Sequence, residues 1–104
     1  MKYKIFRTLK ADNQLREIIF YIAENSGSTE AALNYLSKLE KAICQLEDFP
    51  MSGVKPKYAV LQKQGYLMLI VEKHLIFYKI DSEKKQVIIY AVVDSRRAYR
   101  NLVL

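Results

Sequence analysis

Three arginines near the end of the chain carry the clearest chemistry in the sequence. Arg96, Arg97 and Arg100 follow the last apolar stretch. A guanidinium group can bind a phosphate through two parallel hydrogen bonds, and it stays charged at any physiological pH. Tyr99 lies three residues after Arg96, the spacing of a shared helical face. The segment is therefore a candidate phosphate site. The alternatives are that the arginines form a solvated face and that the tyrosine ring packs back onto the protein.

A single histidine and several lysines extend this candidate site. His74 opens the second of two apolar runs and could act as an acid or a base near neutral pH, although a lone histidine at a strand start is more often a surface residue. Lys73 precedes it. Lys55, Lys57 and Lys63 flank a short predicted strand, where they could hold a nucleic-acid backbone or merely protect a strand edge from aggregation.

The net charge of +6 lies entirely in the second half of the chain. Residues 1–50 balance seven basic against seven acidic side chains, whereas residues 51–104 hold ten basic and four acidic ones. Five of the eight tyrosines also lie in this basic half. Cations and aromatic rings together favour binding to nucleic acid, while the alternative is that the lysines only keep a strand-rich half in solution.

Length and composition exclude several classes of protein. A chain of 104 residues is expected to form one domain, residues 1–104. No apolar run approaches the ~20 residues of a membrane span, and the first residues lack the apolar segment of a signal peptide, so a cytoplasmic protein without membrane contact is expected. Cys44 is the only cysteine, so no internal disulfide can form, and one histidine with one cysteine gives no zinc site.

Periodicity predicts a two-layer α+β fold. The polar triplet 72–74 between two apolar runs predicts a central hairpin over residues 65–81. Apolar residues at helical spacing predict an antiparallel pair of helices from about residue 9 to 27 and from 28 to about 47. The remaining predicted elements are an N-terminal strand at 1–8, a weak strand at 58–61, a last strand at 86–93 and a short C-terminal helix within 95–102. The sheet of four or five mainly antiparallel strands would have two apolar faces, the second covered by this chain or by a partner.

Short motifs along nearly the whole chain resemble the RelE/ParE superfamily of bacterial type II toxins. In chain order the motifs are Thr8-x-x-Ala11, Tyr21-Ile22, Ala32-x-x-Tyr35, Leu39-Glu40, Phe49-Pro50-x-x-Gly53, Gly65-Tyr66, Leu75-Ile76-Phe77-Tyr78-x-Ile80-Asp81 and Arg96-Arg97-x-Tyr99. The resemblance implies the RelE/ParE-like fold and a small cytoplasmic toxin. It also implies a cognate antitoxin as partner, with operator DNA bound only through that antitoxin.

The resemblance implies one of two targets. RelE-like members cleave mRNA in the ribosomal A site, whereas ParE-like members poison DNA gyrase. For cleavage, which uses the RNA's own 2′-hydroxyl, the resemblance together with the residues above gives Arg96, Tyr99 and His74 as the catalytic set, with no metal or cofactor. The RNA-binding residues would then be Arg97, Arg100, Lys73, Lys63, Lys57 and Lys55.

Departures from the family pattern leave three functions possible. Leu67 replaces an arginine that commonly follows Gly-Tyr, Asp94 and Ser95 precede Arg96, and Ala98 stands in place of an acid. The chain could therefore be an mRNA endoribonuclease with a shifted residue set, a gyrase poison, or a silent toxin that only binds its antitoxin. In each case an antitoxin helix or strand with acidic side chains is expected over the sheet.

Overall fold

In the computed structural model, which describes residues 2–97, 99 and 103, two long helices pack on one face of a four-stranded sheet and a short helix packs on the other. The strands of the described part are β1 (Lys4–Arg7), β2 (Leu67–Val71), β3 (His74–Asp81) and β4 (Gln86–Asp94). The helices are α1 (Leu9–Ser26), α2 (Thr29–Cys44) and the short α3 (Ala59–Lys63). Two 3₁₀ turns, Gln45–Glu47 and Pro50–Ser52, lie between α2 and α3.

The two long helices begin at the residues that the sequence predicted, and α1 ends where predicted, whereas α2 ends at Cys44 and the predicted last turn to about residue 47 is the 3₁₀ turn Gln45–Glu47. The Thr8 hydroxyl accepts a hydrogen bond from the Ala11 amide at 3.1 Å, and the Ser28 hydroxyl does the same for Ala31 at 3.1 Å. These caps satisfy amides that have no partner within a helix. Gly27 ends α1 in the left-handed region with φ of 67°, a conformation that glycine adopts without strain. The predicted helical hairpin is therefore confirmed.

The sheet is mixed and has the order β1-β4-β3-β2. Strands β2, β3 and β4 are antiparallel neighbours, whereas β1 pairs with β4 in parallel. A parallel neighbour requires a crossover connection, and the helical hairpin forms part of that connection between β1 and β4. The predicted α+β class and the mainly antiparallel sheet are confirmed.

Both faces of the sheet are buried by this chain. One core lies between the sheet and the long helices, and its largest buried members include Leu39, Leu46 and Tyr78. A second core lies under α3 and the C-terminal segment, where Leu61, Phe77 and Tyr99 are buried. The sequence predicted that the second apolar face would be covered either by this chain or by a partner, and residues of this chain cover it.

The predicted strand at 58–61 is wrong, because this segment forms the start of α3. The amides of Leu61 and Gln62 both donate to the Tyr58 carbonyl at 3.1 Å. A helical turn lets Leu61 become fully buried on the second core, while the position beside β2 is taken by Val54, which pairs with Met68. Tertiary burial of one leucine thus overrides a weak strand propensity.

The predicted C-terminal helix at 95–102 lies partly outside the described residues, which exclude 98 and 100–102. Residues 95–97 form a turn, and the Val103 amide donates to the Tyr99 carbonyl at 3.0 Å. Among the helices of the described part, none has the length and apolar character needed to cross a membrane.

Candidate phosphate-binding cleft

A cleft of about 690 Å³ lies where α1 faces the turn between β2 and β3 and the end of β4. Helix α1 contributes Glu17 and Tyr21 to its wall, and α2 contributes Tyr35. The charged and titratable residues of the opposite wall are Glu72, Lys73, His74, Asp94, Arg96 and Arg97. Segments far apart in the chain therefore meet at one site.

Strand pairing brings His74 next to the arginine segment. His74 is the first residue of β3 and lies opposite Asp94, the last residue of β4. The Ser95 amide then donates to the Lys73 carbonyl at 2.8 Å, which ties the turn after β4 to the turn before β3. This register explains why His74 and Arg96 line one cleft although 21 residues separate them.

The His74 ring is half-buried and is held from one side by Tyr35. The Tyr35 Oη lies 2.6 Å from Nδ1, and the two rings meet edge to face with centroids 5.4 Å apart. Burial is the main cause that lowers the pKa of His74, and the charges of Arg96 and Lys73 also lower it, against the opposing effect of Asp94 and Glu72. His74 is therefore neutral at pH 7 and able to accept a proton.

Arg96 is engaged by its neighbour Asp94. Its Nη2 lies 2.8 Å from Oδ2 and its Nε 3.1 Å from Oδ1, and the Arg96 amide also donates to Oδ1 at 2.8 Å. These hydrogen bonds hold the pKa of the Asp94 carboxyl far below its usual range. The Arg96 side chain is nevertheless 69% exposed, so a phosphate can approach it from solvent.

The turn that carries Lys73 is stabilised from helix α2. Glu72 has a positive φ of 52°, uncommon for a residue with a side chain, and its carboxylate accepts a hydrogen bond from Lys38 Nζ at 3.0 Å. Lys73 itself is exposed at the mouth of the cleft, and Arg97 is exposed nearby. The cleft thus places three cations and the three carboxylates of Glu17, Glu72 and Asp94 around one imidazole.

Other residues of the predicted site lie elsewhere. Tyr99 is 5% exposed and packs in the second core, with its ring centroid 5.1 Å from that of Phe77 and 5.0 Å from that of Tyr58. It is not among the residues that line the cleft. The Lys57 Nζ lies over the Tyr58 ring, 5.4 Å from its centroid.

Lys55 and Lys63 are exposed and are also outside the cleft lining. Arg100 lies outside the described residues. The structure therefore brings together Arg96, Arg97, Lys73 and His74, and it separates them from Tyr99 and from the lysines around α3.

Sequence reasoning missed the contribution of the long helices to this cleft. Tyr35 was noted only as part of a family motif, and Glu17 and Tyr21 had no assigned role. The available signal was a tyrosine beside the apolar stripe of α2, but only the packing of α2 against the β2–β3 turn shows which group its hydroxyl meets. Within the part of the chain that the structure describes, no group of three or more His, Cys, Asp or Glu side chains could hold a metal ion.

A helical hairpin on a mixed four-stranded sheet characterises this small α+β domain, and the cleft at the end of β4 is lined by three cations and three carboxylates. Several solved structures share this fold. The ParDE toxin–antitoxin system of P. aeruginosa matches with a TM-score of 0.73 and 18% identity, over 89% of this chain and 96% of that one. The RelBE2 toxin–antitoxin complex of Mycobacterium tuberculosis matches with a TM-score of 0.63 and 18% identity, over 90% and 99%.

A mutant of the E. coli toxin RelE in the free state matches with a TM-score of 0.65 and 15% identity, over 98% of this chain and 90% of that one. No curated protein sequence matches the chain. The sequence profile of the family described as the ParE toxin of the type II toxin–antitoxin system parDE matches residues 5–99. The chain therefore belongs to this family of type II toxins, as the motifs predicted.

Proposed function

We propose that this toxin stops translation by cleaving mRNA on the ribosome, and that the cleft beside His74 is its active site. The observation that supports this most is that His74, whose pKa burial lowers, lies with Lys73, Arg96 and Arg97 in one open cleft. Cleavage by the RNA's own 2′-hydroxyl needs a proton acceptor and cations for the charge that develops on the phosphorus oxygens. This cleft contains both.

In the proposed reaction His74 removes the proton of the 2′-hydroxyl. The 2′-oxygen then bonds to the adjacent phosphorus, the bond from phosphorus to the 5′-oxygen breaks, and the proton returns to that leaving oxygen. Arg96 and Arg97 stabilise the added negative charge, because guanidinium groups bind phosphate oxygens in pairs. Lys73 contributes a further charge at the mouth of the cleft. Side chains alone supply these steps.

A second candidate function is the poisoning of DNA gyrase, and one observation favours it. The Arg96 guanidinium is already occupied by the Asp94 carboxylate. A protein that inhibits an enzyme by binding needs surface complementarity but no free catalytic groups, so this ion pair would not impair it. The buried position of Tyr99 is likewise compatible with a toxin that acts without cleaving RNA.

We also propose that a cognate antitoxin binds and neutralises the chain, a proposal supported by its similarity to the RelBE2 toxin–antitoxin complex and the ParDE toxin–antitoxin system. The net charge of +6 favours an acidic partner. Because α3 and the C-terminal segment cover the second sheet face, the apolar contact is expected elsewhere. A groove of about 270 Å³ between α1 and α2 exposes 69% of Phe20 and suits an apolar side chain of that partner.

The test is inducible expression of the chain without an antitoxin, followed within minutes by mapping of mRNA 5′ ends on ribosomes. Wild type is compared with Arg96→Ala and with Lys84→Ala, which removes a cation from the exposed turn after β3. New ends at A-site codons that disappear only in Arg96→Ala support cleavage. Growth arrest with an SOS response and intact mRNA would move the assignment to gyrase, and normal growth would indicate a silent toxin.

A further inference from the structure

The hydroxyl of Tyr35 connects the His74 imidazole to the backbone of β2. The Tyr35 Oη lies 2.6 Å from His74 Nδ1 and 3.3 Å from the Val71 carbonyl oxygen. Burial is the main cause that raises the pKa of the Tyr35 hydroxyl, so this group stays protonated through the physiological range. One neutral hydroxyl, with a single proton to donate, thus lies between a ring nitrogen and a carbonyl.

The position of that single proton decides which nitrogen of His74 faces the cleft without a proton. If Tyr35 donates to the Val71 carbonyl, its oxygen is free to accept a hydrogen bond from Nδ1–H, and Nε2 keeps its lone pair. If Tyr35 donates to Nδ1, the proton of the neutral ring is on Nε2, which then cannot act as a base. Both arrangements keep the hydrogen bond between Tyr35 and Nδ1, but only the first also uses the Tyr35 hydroxyl proton for the 3.3 Å contact with the Val71 carbonyl oxygen.

We propose that Tyr35 is a positioning residue that holds His74 in its Nδ1–H form, so that Nε2 is the nitrogen that accepts the proton of the RNA 2′-hydroxyl. This role rests on the proposed RNA cleavage. Within the described part of the chain, no hydrogen bond engages Nε2, which leaves it for a substrate. The titratable and charged groups that face His74 from the surrounding elements are Glu17 and Tyr21 of α1, Tyr35 of α2, Glu72 and Lys73 of the turn, and Asp94, Arg96 and Arg97 at the end of β4.

The uniqueness of His74 makes a direct test possible. The full chain is made by cell-free synthesis with histidine labelled with ¹⁵N in the ring, and its imidazole signals need no assignment because the chain has one histidine. Above the pKa of His74, the ¹⁵N shifts and the couplings to ring protons show which nitrogen carries the proton. We expect Nδ1–H in wild type and a shift toward Nε2–H in Tyr35→Phe, which keeps the ring contact but loses the hydroxyl.

Tyr3→Phe is the matched control, because Tyr3 lies near β1 and outside the cleft lining. Cleavage by Tyr35→Phe should fall by roughly 10- to 100-fold, by analogy with loss of a hydrogen-bond partner that orients a metal-bound histidine, and the pH profile of cleavage should change with it. Tyr3→Phe should alter neither the tautomer nor the profile.

An Nε2–H tautomer in wild type would overturn the proposal, and so would an unchanged tautomer in a folded Tyr35→Phe. The wild-type spectrum alone decides the matter if the variant does not fold. A chain that holds Nδ1–H but cleaves no mRNA would overturn the proposed function while confirming the bond from Tyr35 to His74. The two failures are therefore distinguishable.

Discussion

Arg96 and Asp94 form a two-point ion pair at the end of β4, with 2.8 Å between Nη2 and Oδ2 and 3.1 Å between Nε and Oδ1. The carboxylate occupies the same face of the guanidinium group that would bind a phosphate. Because the Arg96 side chain is exposed, a phosphate from solvent can replace the Asp94 carboxylate as its partner. Whether the cleft binds RNA therefore depends on competition between Asp94 and a phosphate for one side chain.

We predict that Asp94→Asn increases the affinity of the chain for a short single-stranded RNA. Asparagine keeps the shape but loses the charge that competes for Arg96, so binding should tighten about two- to fivefold, as expected for an exposed ion pair. Arg96→Ala should weaken binding and reduce the slope of log affinity against log salt by about 0.7, the value for one phosphate contact. Fluorescence anisotropy across a salt series measures both, and an Asp94→Asn affinity equal to wild type would contradict the competition.

The stability of the fold should decrease as the pH falls below the unfolded pKa of His74. Burial lowers the pKa of His74 in the folded chain below 6.5, so between those two pKa values the unfolded chain binds more protons than the folded one. The free energy of unfolding therefore rises with pH in that window and is fully present above about pH 6.5. Urea unfolding at a series of pH values from about 5 to about 7.5 measures it.

His74→Gln is the control for this pH dependence, because glutamine does not titrate. Its free energy of unfolding should vary less over the same window than that of wild type. The ionised Asp94 also stabilises the folded chain, because its pKa is lower there than in the unfolded chain. This contribution is lost only as the pH falls below the unfolded carboxyl pKa of about 3.9, which is outside the measured window. Equal pH dependence in wild type and His74→Gln would show that another group is responsible.

Gly53→Ala should destabilise the fold through crowding. Gly53 has an ordinary φ of −72°, but a Cβ there would collide with the Tyr78 hydroxyl and lie 2.9 Å from the Met68 carbonyl oxygen. We expect a loss of roughly 1–3 kcal/mol in the free energy of unfolding, measured by urea titration. In Gly27→Ala, where the space is open, only the positive φ of 67° opposes the change, with a cost of roughly 1–2 kcal/mol.

The double variant Gly53→Ala with Tyr78→Phe separates crowding from backbone effects. The Tyr78 hydroxyl donates to the Pro50 carbonyl at 2.8 Å and accepts from the Gly53 amide at 2.9 Å. Its removal costs these bonds but opens space for the new methyl group. The double variant should therefore lose less stability than the sum of the single variants, by at least about 0.5 kcal/mol. Strict additivity would contradict the proposed collision.

Thr8→Ala should cost more stability than Ser28→Ala, although each residue caps one helix. Both hydroxyls accept from an amide of the first turn at 3.1 Å, but Thr8 also donates to the Tyr90 carbonyl of β4 at 3.3 Å. Loss of a cap costs about 1 kcal/mol, and the second hydrogen bond adds roughly 0.5–1.5 kcal/mol. Thr8→Ser, which keeps the hydroxyl, should lie close to wild type. Equal losses in the two alanine variants would show that the bond to Tyr90 contributes nothing.

Local chemistry explains the elements that were predicted well. Thr8, Ser28 and Gly27 predicted the helix ends correctly because a capping side chain or a left-handed glycine acts only on the few residues next to it. Its effect does not depend on the rest of the fold. The hairpin of β2 and β3 likewise depends on two adjacent apolar runs. The strand predicted at 58–61 was wrong because its conformation depends on a distant surface, the second face of the sheet, where Leu61 is buried.

The sequence by itself determined the family, the helical hairpin, the antiparallel sheet and the basic second half of the chain, because these depend on residue types, short spacings and local hydrogen bonds. Only the tertiary structure decided which cations share a site. The register that places His74 opposite Asp94 brings Arg96 and Lys73 together, and the burial of Tyr99 against Phe77 removes it from that group. Strand register and burial arise from contacts between segments far apart in the chain, which no local pattern specifies.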